Sequence, residues 1–315
     1  MGRIESLRRA VGTVGAASVQ AASLSKEMDR LRVLVGAQEA ARVRALPPER
    51  VSDAEFQVFS QFGEDGIIQF LVGHVPVPVD SEVFVEFGVE DYTESNTRFL
   101  LVHDNWRGFV MDGGEGMHEF LRASGLAWRH HIDARTAFID RENVNSLIAD
   151  AGITGDLGLL SIDIDGNDYW VLEAVESVSP RILVLEYNAT FGPEAAVTVP
   201  YDPGFVRGEK HWTWLYWGAS LAALTHAAEA KGYALVAGNR AGNNAFFVRR
   251  DMLGELPTRS PAEVWRPSRF RESRDRSGEL SYVSAAEDRL RLMRDMPVVD
   301  VAAGREVTIG ERFGV

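Results

Sequence analysis

The chain has 315 residues, 45% of them hydrophobic, no cysteine and a formal net charge of −13. That charge repels a phosphate backbone, so no nucleic-acid partner is expected, and the lack of cysteine excludes disulfides and thiolate metal centres. The length allows one large or two modest domains with an ample core, and the composition suits a cytoplasmic protein.

Residues 1–45 read as a helical arm. Ile4, Leu7, Val11 and Val14 recur at 3-4 spacing, as do Leu24, Met28, Leu31 and Val35. Gly12 and Gly15 separate the halves, which argues against a long coiled coil. Such a helix serves homo-oligomerisation or partner docking, or it lies on its own domain; the sequence leaves these open. The opening "MGRIESLRRA" lacks the apolar core of a signal peptide and matches the short M-G-x-x-x-S myristoylation pattern. No apolar run approaches the roughly 20 residues of a membrane span. "LPPER" (46–50) ends the arm, because consecutive prolines cannot continue a helix.

Short apolar runs then alternate with helical segments: "EVFVEFG", "RGFVMDG", "AWRHHIDA", "LGLLSIDID" and "RILVLEYN", with helices predicted over 95–103, 141–151 and 169–177. Strands alternating with helices predict a parallel α/β sheet. "YALVAG" and "NAFFVRR" are separated only by "NRAGN", which predicts an antiparallel hairpin. The expected divisions are an arm over 1–50, an α/β domain over 51–255 and a peripheral extension over 256–315. That extension is expected to hold a helix over 285–294 and a terminal hairpin, and no chemistry.

Ligands of open α/β sheets bind beyond the carboxyl ends of the strands. Five successive runs carry an acid there: Glu86, Asp112, Asp133, Asp163 with Asp165, and Glu186. In the first unit, "FVEFGVEDYTESNTRFL", Gly88 allows close backbone approach, and Ser95-Asn96-Thr97 opens a helix with free N–H groups. Only one glycine of a dinucleotide G-x-G-x-x-G is present, and Glu90, Asp91 and Glu94 would repel phosphates. A cationic ligand fits better. Asp112 stands where an acid accepts from ribose hydroxyls, and Asp133 is placed to meet an adenine amino group. A cationic adenosine without phosphate is S-adenosyl-L-methionine.

The motifs "SQFGEDGII" (60–68), "FVEFGVEDYTESNT", "WRGFVMDG", "SIDIDGNDYWVL" and "GYALVAGNRAGNNAFFV" together resemble the FkbM-type class I S-adenosylmethionine-dependent methyltransferases. The resemblance covers about residues 55–250. It implies a Rossmann-like class I methyltransferase fold: a seven-stranded, mostly parallel sheet with an antiparallel terminal hairpin. It also implies a cofactor site drawn from Gln61, Glu86, Gly88, Asn96, Thr97, Asp112, Asp133 and Asp163. A looser similarity to metal-dependent sugar O-methyltransferases implies Mg²⁺ held by Asp163, Glu186 and Asn188, with Asp165 as general base. Here the last pair reads Glu-x-Asn, where that relative has adjacent side chains. The acceptor so implied is a small-molecule or glycan hydroxyl.

That chemistry suits the D-x-D stretch. A sugar hydroxyl is too weak an acid to attack unaided; a metal lowers its pKa and a carboxylate removes the proton. The plainer role for Asp165 and Asp168 is capping the helix that follows. The long segment over about 190–218 reads as a lid. Its Trp212, Trp214, Tyr216 and Trp217 either stack on a sugar or pack among themselves. Lys210 and His211 either assist the base or are surface residues. Two other functions fit less well: a glycosyltransferase binding a nucleotide diphosphate through D-x-D, and a catalytically silent scaffold that binds a partner through the arm.

Overall fold

The apolar runs become strands because Val, Ile, Leu and Phe fill both faces of a buried sheet. The computed structural model describes residues 24, 27–269 and 271–315. Its principal strands are β1 (Val83–Phe87), β2 (Arg107–Asp112), β3 (Ile132–Thr136), β4 (Gly155–Ile162) and β5 (Val178–Glu186). A two-residue β6 (Val197–Thr198) precedes β7 (Tyr233–Gly238) and β8 (Asn244–Arg249). Seven of these form one sheet in the order β3-β2-β1-β4-β5-β8-β7. All pairings are parallel except those of β8, which runs antiparallel to both β5 and β7. This is the Rossmann-like class I methyltransferase topology, closing hairpin included.

Helices cover both faces. One face packs α-helical residues Val144 and Ile148, Val171 and Leu172, and Leu221 to Ala228 against Val85, Leu160 and Leu183. The other packs Ile67, Phe70 and Leu71 against Phe84, Leu159 and Val184. No helix among the described residues is long and apolar enough to cross a membrane.

Residues 27–44 are helical. Gly36, Ala40 and Val43 are buried on the body, and a Cβ on Gly36 would stand 2.6 Å from Val58. The predicted stripe of Leu24, Met28, Leu31 and Val35 points the other way; each is more than half exposed. The arm therefore docks through its small residues and leaves its large ones outside. Ile4, Leu7, Val11, Val14 and the myristoylation pattern lie outside the described residues.

Two sequence expectations shift. "AWRHHIDA" is not one strand: Leu126–Arg129 is helical, and β3 starts only at Ile132. Asp133 consequently sits near the amino end of β3, 3.6 Å from Arg107, at the edge opposite the ligand side. The run contains β-formers, but Gly125 in a left-handed conformation starts a helical turn that uses up its first residues. The carboxyl-terminal segment is also more than peripheral. Strands β9 (Pro297–Asp300) and β10 (Arg305–Thr308) form the predicted hairpin, and β9 adds β6 as a third strand. The lid and the tail thus share one small sheet and an apolar cluster of Phe191, Val199, Tyr216, Trp217, Met293 and Val298.

The ends of β1 and β4 meet closely. Gly88 has φ +76°, and a Cβ there would fall 1.4 Å from the Asp163 carbonyl oxygen. No side chain can be accommodated without separating the two strand ends. Gly88→Ala should lower the unfolding free energy by more than about 2 kcal/mol, read from the urea midpoint. Gly152→Ala, at φ +71° but with nothing within 4 Å, should cost only about 1 kcal/mol.

Candidate active site

The loops after β1, β2, β3, β4 and β5 surround a cavity of about 840 Å³ at the carboxyl edge of the sheet. Its lining includes nine carboxylic side chains and one basic one, Arg207. This excess of negative charge disfavours phosphates and favours cations and hydrogen-bond donors.

Several of the predicted binding acids are engaged in building the loops. Glu86 is almost fully buried and accepts from the Ser95 and Thr97 hydroxyls and from the Asn96 N–H at 2.8 Å. Burial raises its pKa, and these donors oppose the shift. Thr97 is wholly buried beneath the wall and outside the cavity lining, whereas Asn96 stays in the lining and donates to Ser161 at 3.1 Å. Asp112 accepts from the N–H of Glu90 at 2.9 Å and of Gly114 at 2.7 Å. It therefore braces Glu90, whose φ of +48° is strained for a residue with a side chain. Asp112 still lines the cavity, as do Gln61 and Gly88. Asp168 is fully buried, with its pKa raised by burial to about 6, and accepts from the N–H of Ile164 and Gly166. Asp168 thus braces the loop that precedes its helix and does not cap the helix, whose N-cap residue, Asn167, makes no side-chain cap bond.

Three carboxyls remain facing the cavity at β4 and β5. Asp163 and Glu186 share a hydrogen bond, and burial first, then neighbouring negative charge, raises both pKa values. Glu186 Oε2 is buried without a partner. Asp165 has φ +56° and is the exposed member. Arg207, in a short helix over Arg207–Lys210, donates to it at 3.0 Å and lies 3.8 Å from Glu272. The same guanidinium donates to the Trp214 carbonyl at 2.7 Å and stands over the Trp217 ring, 4.9 Å from its centre.

Asn188 does not join this group. Its Nδ2 donates to the Leu215 and Trp217 carbonyls, both at 3.1 Å, and its Oδ1 accepts from the Thr190 N–H. The side chain latches the lid and lies outside the cavity lining. With Asn188 engaged in the lid and Asp165 paired with arginine, the four positions do not come together as the expected magnesium site. Among the described residues no group of three or more His, Asp or Glu side chains is arranged to hold a metal ion. No step is derived through one.

The lid aromatics divide. Tyr216 and Trp217 are buried in the mini-core, while Trp214 lines the cavity with Arg274 over its ring at 4.8 Å. Lys210 pairs with Asp202, and His211 bonds Thr213 at 2.7 Å; neither lines the cavity. Sequence reasoning missed Phe138, half exposed in the loop after β3, and also Arg207, Glu272 and Asn244, all in the lining. Phe138 was hidden by the misplaced end of β3. Arg207 was legible as the cation nearest the centre of the lid.

No family model matches the chain, and no curated protein matches it. Among solved structures it is similar to an O-methyltransferase family protein from Burkholderia thailandensis, at 11% identity over 59% of this chain and 58% of that chain, with a TM-score of 0.36. It is similar to an O-methyltransferase from Bacillus cereus in complex with SAH, at 13% identity over 70% and 89% of the two chains, TM-score 0.35. A third is the N-terminal domain of EvdMO1 in the presence of SAH and D-fucose, at 13% identity over 53% and 73%, TM-score 0.33. The likeness thus spans little more than half of the first of these proteins.

Proposed function

We propose that the protein is an S-adenosylmethionine-dependent O-methyltransferase acting on a hydroxyl of a sugar or glycan-like small molecule. The observation that carries this reading is the acid-lined cavity over β1, β2 and β4 in a sheet of class I methyltransferase order. Nine carboxyls against one arginine suit a sulfonium nucleoside and disfavour the nucleotide diphosphate of a glycosyltransferase.

The cofactor, when bound, supplies a methyl group on a positively charged sulfur. Gly88 and Glu90 present a close backbone edge to it, and Asp112 retains acceptor capacity for ribose hydroxyls beyond its two loop bonds. Phe138 offers an exposed ring beside them for a purine face. Asn96 and Gln61 complete that side of the lining.

Asp165 is the general base in this reading. Its ion pair with Arg207 aims the carboxylate, while leaving its second oxygen to take a proton. Because Arg207 belongs to the lid, lid position and base orientation are linked. Trp214 adds an aromatic ring to the lining. The acceleration assigned to these residues is the positioning of oxygen against methyl together with proton removal.

Asp165→Asn should reduce kcat by about 10²–10⁴-fold, measured on whichever methyl glycoside the wild type methylates. Calorimetry should find S-adenosylhomocysteine affinity unchanged. Unchanged turnover would remove the base, and no binding of S-adenosylhomocysteine at millimolar concentration would sink the reading, leaving the silent scaffold.

Asp163 and Glu186 give a pH dependence of known sign. Their pKa values are raised on folding, so their stabilisation is complete below the ordinary carboxylate range, near pH 4, and is lost as pH rises through the raised values. Glu186→Gln removes one such group. Urea denaturation should find the variant more stable than wild type at pH 8, with the gap closing toward pH 4; a gap independent of pH contradicts the raised pKa values.

A further inference from the structure

Two buried oxygens on the wall of the cavity receive no hydrogen-bond donor among the described residues, and the residues that carry them stand opposite each other on neighbouring strands. Glu186 is the last residue of β5 and Asn244 the first of β8, and the antiparallel ladder sets them directly opposite. They are 7% and 3% exposed, and both line the cavity. Glu186 Oε2 and Asn244 Oδ1 are the unpartnered atoms.

The orientation of the Asn244 amide is chemically determined. Its Nδ2 donates to Glu64 Oε1 at 3.1 Å. That carboxylate oxygen also accepts from Asn239 Nδ2, while Oε2 accepts from the Phe62 N–H at 2.8 Å. A carboxylate so supplied with donors requires the amide's NH₂ end, so a flipped Asn244 would set oxygen against oxygen. The Oδ1 atom is thereby turned away from Glu64. Glu64 comes from the "SQFGEDGII" motif, of which the proposed mechanism uses only Gln61.

A buried acceptor left without a donor costs about 1–3 kcal/mol, and two on one wall call for a shared explanation. We infer that Glu186 and Asn244 form a subsite that reads hydrogen-bond donors on the acceptor next to the hydroxyl that reacts. This rests on the methyl-transfer reading. In the strand order the subsite lies at β5 and β8, beyond Asp163 and Asp165 of the β4 end and away from the β2 and β3 loops, so it falls to the acceptor and not to the nucleoside. Asn244 Oδ1 only accepts, and the Glu186 oxygen left over from its hydrogen bond to Asp163 accepts as well. An ether, carboxylate or phosphate is therefore refused, whereas a hydroxyl or protonated amine is taken. Directly opposed side chains on a ladder stand about 5 Å apart, a spacing that suits neighbouring donors on one ring.

The test uses full-length protein saturated with S-adenosylhomocysteine and ligand-observed NMR titration. The probes are the methyl glycosides of glucose, galactose and mannose, with their matched deoxy and amino-deoxy analogues. At least one diol or amino glycoside should bind about tenfold or more tightly than its deoxy analogue. Asn244→Leu and, independently, Glu186→Met should reduce that preference to within about twofold, with S-adenosylhomocysteine affinity retained. If one variant fails to fold, the other still decides. Tighter binding of the amino analogue identifies a protonated amine as the donor; equal or weaker binding identifies hydroxyls. Equal binding of diol and deoxy forms, absence of all glycoside binding, or a preference that survives in a folded variant overturns the subsite. Failure of wild type to bind S-adenosylhomocysteine instead overturns the underlying methyl-transfer reading.

Discussion

The carboxyl edge of the sheet depends on carboxylates that accept from backbone N–H groups of its own loops. Glu86 gathers the Ser95–Thr97 turn, Asp112 holds Glu90 and Gly114, and Asp168 holds Ile164 and Gly166. Strand ends leave such groups unpaired, and burying them without acceptors would cost free energy comparable to lost hydrogen bonds. Acids at these positions satisfy the loops first. Gly88 then lets the β1 and β4 loops touch through the Asp163 carbonyl.

The engaged acids separate from those left over. Asp163, Asp165 and Glu186 have fewer local donors and a shared cavity, and their partners are one another or the lid arginine. Burial and proximity raise the pKa values of Asp163 and Glu186, while the exposed Asp165 pairs with a cation.

The lid is tied down from three directions. Asn188 bonds its carbonyls, Asn167 donates to the Asp202 carbonyl at 2.8 Å, and the tail strand β9 pairs with β6. Arg207, which reaches from this lid to Asp165, also faces Glu272 of the tail. The final sixty residues therefore position the site wall, although none of their local sequence announces it.

The sequence by itself determined the alternation of strands and helices, the closing antiparallel hairpin, the glycine at position 88 and the concentration of acids after the strands. Those features follow from local hydrophobic periodicity and turn chemistry, which act within a few residues. Tertiary structure alone decided which acids face the cavity. Asp133 was lost to a four-residue helical turn that displaced β3, and Asn188 to carbonyls about thirty positions away. Asp165 acquired Arg207 from 42 residues downstream, and Asn244 acquired Glu64 from 180 residues upstream. A polar side chain's role depends on which partner satisfies it, and packing, unlike periodicity, brings partners together from anywhere in the chain.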